Sequence, residues 1–177
     1  MINKNEVLFT VDENNQPITP AARQKVHTEA IWHRTNDIVV MNSKNEILCS
    51  KRSRLKDISP GLWDASFGGH VLAGVDDMTS ALDELKEEAG LEPNRSDLDF
   101  VSIVRHSEPQ KNNNEFRYLY IYRWDGPLNE LKLEEDEVDE VKWVPIDDII
   151  NNKNNREEWS PMPYLDELLK KISYERS

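Results

Sequence analysis

Three glutamates, Glu84, Glu87 and Glu88, stand at i, i+3 and i+4 in the run LDELKEEAG. On a helix that spacing puts all three carboxylates on one face. Carboxylates so close repel one another and weaken an isolated helix. A divalent cation turns that repulsion into a site. Hard ions such as magnesium take oxygen ligands, stay partly hydrated and bridge carboxylates to substrate phosphates. The bland alternative is a solvated acidic face.

The elements around the glutamates are set up to present them. Met78, Ala81, Leu82, Leu85 and Ala89 fall on roughly the opposite side of the same helix, where they can pack on a core. Gly90 suits the left-handed position just past a helix end. The glycine pair Gly68-Gly69 and a loop precede the helix. Upstream, strand-like runs cover 6–11, 29–34, 37–42, 46–51 and 62–67, and Ser43-Lys44-Asn45 reads as a hairpin turn. A polar segment follows Pro20, and SKRSRLKDISPG is a basic loop ending in a Pro-Gly turn. Downstream, strands are expected at 98–106, 115–124 and 141–144, with Phe116, Tyr118, Tyr120 and Tyr122 on one face. A short helix at 146–150 and an amphipathic one at 164–172 close the chain, the latter with Leu165, Leu168, Leu169 and Ile172 inward. Mixed strands with packed helices predict an α/β sandwich. No repeat and no domain boundary interrupts residues 1–177, with 1–26 an N-terminal extension.

Composition narrows the functions. With 37% hydrophobic and 32% charged residues, the chain reads as an ordinary soluble globular protein. A net charge of −12 disfavours nucleic-acid polymers as partners. Polyphosphate ligands then need a metal and a local basic patch. No apolar run of membrane-spanning length and no signal-peptide pattern is present, so no membrane partner is expected. The one cysteine, Cys49, fits a reducing cytoplasm and a place in the core. Trp32, Trp63, Trp124, Trp143, Trp159 and Tyr164 are candidates for stacking on a base, although aromatics in strands are usually core.

Residues 68–91 resemble the Nudix box, G-x5-E-x7-R-E-U-x-E-E-x-G-U, where U is aliphatic. Gly69 matches the first glycine, and Glu84, Leu85, Glu87, Glu88, Gly90 and Leu91 match the second half without a gap. Val75 stands at the first Glu position and Asp83 at the Arg position. The family typically ion-pairs those two side chains, so losing both leaves no unmatched charge. The resemblance implies the Nudix fold, an α/β/α sandwich with a mixed sheet and the box as loop–helix–loop.

The likeness extends beyond the box. VHTEAIWHR, ILCSKRSRLKDISPGLWDASFGGH, NNEFRYLYIYRW, EDEVDEVKW and WSP resemble, in order, the branch containing isopentenyl-diphosphate isomerase and its hydrolase-like relatives. His27, His33 and His70 fall on that pattern. In the isomerases the matching histidines bind a metal with acidic residues on a later strand, where this chain has Asn113 and Glu115. Imidazole plus carboxylate suits manganese, iron or zinc, while a lone histidine is more often structural. His106 matches nothing. The isomerase cysteine position holds Gly68, and the box arginine that helps isomerases grip diphosphate is Asp83.

These departures favour a hydrolase. The expected activity is cleavage of a diphosphate linkage in a nucleoside di- or triphosphate or a related nucleotide derivative. Glu84, Glu87 and Glu88 are the expected catalytic residues, and Arg52 and Lys56 the substrate contacts. The expected metal ligands are Gly68 through its carbonyl, Glu84, Glu87, Glu88, His70 and Glu115, with Mg2+ as cofactor and Mn2+ as a second option. Glu84 or an acidic residue from 134–140 would handle the attacking water. An isomerase-like enzyme and a non-catalytic nucleotide-binding module are the alternatives. Monomer and homodimer both stay open.

Overall fold

The architecture is that of a computed structural model, which describes residues 6–55 and 59–175. In chain order it contains β1 (Val7–Leu8), β2 (Ala21–Ala22), α1 (Arg23–Thr28), β3 (His33–Met41), β4 (Glu46–Arg52), β5 (Trp63–Asp64) and α2 (Asp77–Ala89). There follow β6 (Leu98–Glu108), β7 (Asn113–Arg123), β8 (Val138–Pro145), α3 (Ile146–Asn152) and α4 (Leu165–Glu175). β1 and β2 form a small ribbon. The other strands form one mixed sheet in the order β5-β4-β3-β7-β6, with β8 also paired to β4. β3 and β7 run parallel, over nine residue pairs from His33↔Glu115 to Met41↔Arg123.

Side-chain alternation along β3 and β7 divides the core into two layers. Val39, Met41, Leu119 and Ile121 pack with Ile146, Ile149, Leu165, Leu168 and Ile172 on one side of the sheet. Ile38, Val40, Phe116, Tyr118 and Tyr120 pack with Ala81, Leu85 and Ala89 of α2 on the other. The sheet is thus covered by helices on both faces, the α/β/α sandwich that the resemblance implies. The apolar stripe of α2 faces the sheet as its periodicity predicts, and Cys49 lies in the core. Among the described residues no helix is long and apolar enough to cross a membrane.

Four local expectations change. The strand expected at 6–11 is continuous only at Val7–Leu8, followed by isolated bridges at Thr10 and Val11. Of the separate strands expected at 29–34 and 37–42, residues 29–32 are not strand and the rest joins into one strand, β3, because the β7 ladder continues through Thr35 and Asn36. The polar segment after Pro20 contains the helix α1, whose Val26 is buried. The run 62–67 is a strand only at Trp63–Asp64, because the chain leaves β4 there and crosses to β3. Ser50 pairs with Asp64, whereas the next ladder contact is Ile38 with Phe67.

After that crossing, residues 67–71 lie along the edge of β3. Phe67 and Ile38 exchange N–H···O bonds of 3.0 and 2.8 Å, and the Asn36 and Val71 amides donate to Gly69 and Arg34 carbonyls at 2.9 and 3.0 Å. The approach is so close that a Cβ on Gly68 would lie 2.1 Å from the Asn36 carbonyl oxygen. Gly68 also has φ +146°, a conformation L side chains rarely adopt. A Cβ on Gly69 would lie 2.2 Å from Glu84 Oε1. The glycine pair is therefore what lets the loop touch both β3 and α2. Gly68→Ala is expected to destabilise the protein by about 2 kcal/mol or more, lowering the melting temperature in a thermal scan by roughly 4–8 °C.

Candidate active site

Helix α2 is fastened at both ends before its glutamates reach the site. Asp76 caps it, accepting from the Thr79 amide at 3.1 Å and the Thr79 hydroxyl at 2.6 Å. Arg95 joins this cap, 2.8 Å from Asp76 and 2.7 Å from the Thr79 hydroxyl. These contacts hold the Asp76 carboxyl well below the usual carboxylate range. An exposed Asp76–Arg95 pair thus stands at the loop–helix junction of a box that lacks its usual Glu and Arg. At the other end the Gly90 amide donates to the Leu85 and Lys86 carbonyls. Lys132 and Glu134 amides donate to the Ala89 and Glu88 carbonyls at 3.0 and 3.4 Å, which ties the acidic connection to the end of α2.

A cleft of about 570 Å³ opens beside the glycine pair, a size suited to small-molecule ligands. Gly68, His70, Glu84, Glu87, Glu88, Arg52 and Glu115 all line it. The Gly68 amide donates to Glu88 Oε2 at 3.3 Å. Glu87 has its carboxyl pKa raised, by burial first and then by the negative charges of Glu134, Asp83 and Glu6. From the acidic connection, Glu134 and Glu137 reach the cleft wall. Lys56 lies outside the described residues. Lys51, from the same basic run, instead sits over the Trp63 ring at 5.7 Å.

The histidines converge next to the glycine pair. His27 Nε2 and His70 Nε2 are 3.1 Å apart, and the ring nitrogens of His27, His33 and His70 lie within 4.8 Å of one another. His33 Nδ1 is 3.0 Å from the Ile31 carbonyl. A carbonyl only accepts, so Nδ1 carries the proton and Nε2 presents its lone pair. That Nε2 is buried without a hydrogen-bond partner, 3.9 Å from Glu115 Oε1. The Asn113 side-chain oxygen is also buried without a partner. Burial lowers the pKa of all three histidines, and His33 adds to this for His27 and His70. Neutral imidazoles, an orphaned lone pair and a carboxylate form a donor set that fits a divalent transition metal.

The floor holds residues that sequence reasoning missed. Arg117 donates to both oxygens of Asp37 at 2.6 and 2.7 Å and to Glu115 Oε2 at 2.6 Å. Burial opposes the charge on Glu115, but Arg117, His33, the Asn113 side chain and His70 together outweigh it, with the carboxyl held at about 2. The signal was present: Glu115 and Arg117 share a face of an otherwise apolar strand. None of the aromatic stacking candidates lines the cleft. Trp63, Trp159 and Tyr164 are core, Trp124 stacks on Trp143 with centroids 6.0 Å apart, and Trp32 lies against Phe116 and Arg105.

The family model described as NUDIX domain matches residues 31–165. The chain is similar to the uncharacterized Nudix hydrolase YfcD of Escherichia coli K12, at 32% identity over 78% of this chain and 73% of that one. It is also similar to isopentenyl-diphosphate Delta-isomerase 2 of Photorhabdus laumondii, at 32% identity over 80% and 78%. Among solved structures, that of DR0079 from Deinococcus radiodurans superposes with a TM-score of 0.71 at 20% identity, covering 94% of this chain and 98% of that one. With its box glutamates on the cleft wall and the family model spanning most of its length, the chain belongs to the Nudix family of hydrolases.

Proposed function

We propose that the protein is a metal-dependent hydrolase of a diphosphate linkage in a nucleoside di- or triphosphate or a related nucleotide derivative. The observation that supports this most is the convergence of Glu84, Glu87 and Glu88 with the Gly68-Gly69 loop on one cleft. Glu84, Glu87, Glu88 and the Gly68 carbonyl would hold Mg2+, or Mn2+ in its place. His27, His33, His70 and Glu115 form a second donor set, suited to Mn2+. A divalent ion supplies charge neutralisation at the phosphate oxygens and polarises the attacking water.

The chain's own groups do the rest. Arg52 on the cleft wall contacts the diphosphate. Arg117 is occupied by Asp37 and Glu115, so its role is to fix the Glu115 carboxylate rather than to meet substrate. Water attacks one phosphorus, the bridging P–O bond breaks, and the water's proton passes to a carboxylate. Glu87, whose pKa is raised, and Glu84, Glu134 and Glu137 are within the cleft for that transfer. Phosphoryl transfer depends mainly on positioning and charge neutralisation, which is what this wall offers.

The likeness to an isomerase does not carry its reaction across. Isomerisation needs a proton donor where this chain has Gly68, and a Cβ there meets the Asn36 carbonyl at 2.1 Å. Incubation with isopentenyl diphosphate in heavy water is expected to leave the substrate free of deuterium, as read by mass spectrometry.

Hydrolysis is tested with Mg2+ and a panel of nucleoside di- and triphosphates, nucleotide sugars and dinucleotides, by phosphate or pyrophosphate release. Glu87→Gln and Glu88→Gln are each expected to lower kcat at least about 100-fold. Wild-type rates in both variants, or no cleavage of any substrate, refute the reading.

The histidines give a pH signature in metal-free protein. Their folded pKa values lie below the ordinary 6.5, so unfolding takes up protons below that pH. The stability they contribute is present above 6.5 and is lost as pH falls from there, by about 1.4 kcal/mol per pH unit for the fully buried His33. Glu115, held at about 2 against an ordinary 4.5, adds a second loss as pH falls from 4.5 toward 2. Thermal scans from pH 8 to 3 are expected to show both steps, and His27→Asn with His70→Asn to shrink the upper one. Mn2+ is expected to raise the melting temperature more at pH 7.5 than at pH 5.5.

A further inference from the structure

Away from the glutamates, the cleft passes over a row of three polar side chains. Ser50 of β4 and Asp64 of β5 are directly paired. On the other side of β5, Trp63 bridges to Trp159 in parallel. The Trp63 amide donates to the Glu158 carbonyl at 2.8 Å, and the Ser160 amide to the Trp63 carbonyl at 2.9 Å. This register sets Ser50, Asp64 and Ser160 side by side on three adjacent chain segments, roughly 5 Å apart. All three line the cleft. Trp63 and Trp159, one residue earlier, turn to the opposite face and enter the core.

The row has unused hydrogen-bonding capacity. Ser160 is 3% exposed, and its hydroxyl has no hydrogen-bond partner. A buried hydroxyl left so is costly unless something fills it. Asp64 Oδ1 accepts from the Ser66 amide at 3.3 Å and from the Ser66 and Tyr164 hydroxyls at 3.4 Å each, whereas Oδ2 has Arg52 Nη1 at 3.7 Å. A carboxylate has about four lone-pair sites, two on each oxygen, so Asp64 Oδ2, whose Arg52 contact is beyond hydrogen-bond distance, has room for two donors. Burial raises its pKa.

The shape of the ligand follows from these donors and acceptors. A phosphate does not suit a row centred on a carboxylate. A stacked base does not suit it either: apart from histidines, no residue lining the cleft is aromatic, and residues 1–5, 56–58, 176 and 177 include no aromatic. Two adjacent hydroxyls do suit it, because both can donate to one carboxylate while the flanking serines donate and accept. Pro161, Pro163 and Val138 border the row and offer apolar contact to the C–H bonds of a ring.

Resting on the hydrolase reading above, we infer that Ser50, Asp64 and Ser160 bind a vicinal diol of the substrate, such as that of a sugar joined to the diphosphate. The row is a specificity subsite next to Arg52, and it selects hydroxylated over alkyl or deoxygenated moieties. A site built to hydrogen-bond a hydroxyl discriminates sharply against the analogue that lacks it.

The test is isothermal calorimetry with Mg2+ and two non-hydrolysable probes, the methylene-bridged diphosphonate 5-esters of ribose and of 2,3-dideoxyribose. The wild type is expected to bind the ribose probe at least tenfold more tightly. Ser160→Ala and Asp64→Asn are each expected to cut that preference below threefold. Ser160→Ala keeps the test decisive if Asp64→Asn does not fold, since the Ser160 hydroxyl has no internal partner to lose. Equal affinities in the wild type, no binding of the ribose probe, or an undiminished preference in Ser160→Ala overturns the inference. The outcomes separate it from the hydrolase reading: a diol preference without hydrolysis of any diphosphate refutes only the latter, and hydrolysis without a diol preference refutes only the subsite.

Discussion

The contact between the glycine pair and the edge of β3 is the constraint on which the site depends. Four backbone hydrogen bonds hold residues 67–71 against β3, and the spacing is too small for a side chain on Gly68. Moving this segment outward would separate His70 from His27 and His33, and would part Gly69 from Glu84. One backbone approach therefore fixes both donor sets.

The cleft floor rests on a second constraint, the parallel register of β3 and β7. That register puts His33 beside Glu115 and Thr35 beside Arg117. Along each strand the face that is polar at the cleft end becomes apolar at Val39, Met41, Leu119 and Ile121. The same two strands thus build a binding surface at one end and a core at the other. Burying charge there is costly unless every charge is paired. Arg117 meets this condition by bridging Asp37 and Glu115, and the histidines meet it by remaining neutral.

The wall opposite the glutamates is differently made. It is assembled from Ser50, Asp64 and Ser160, which come from three separate segments and share a face only through strand register. Arg52 bridges the two regions, since it lines the cleft and approaches Asp64 at 3.7 Å. The result is a cleft with three glutamates at α2 and a single carboxylate between two serines on this wall.

Much of this was legible in the chain because it is local. The i, i+3, i+4 spacing of the glutamates, the apolar stripe of α2, the alternation of β7 and the place of Cys49 depend only on helical or strand period. The His27, His33 and His70 group was visible by resemblance alone, since no local rule joins residues 43 positions apart. Arg117, Asp37 and the Ser50–Asp64–Ser160 row were not read. Each looks like an ordinary polar residue until the register of a distant strand says what stands beside it. The aromatic residues failed as stacking candidates for the same reason, because only packing decides which face of a strand is core. Periodicity is set by the backbone within one element. The meeting of donors from α1, β3, the glycine loop and β7 is set by tertiary pairing, where a shift of one residue sends every side chain to the other face.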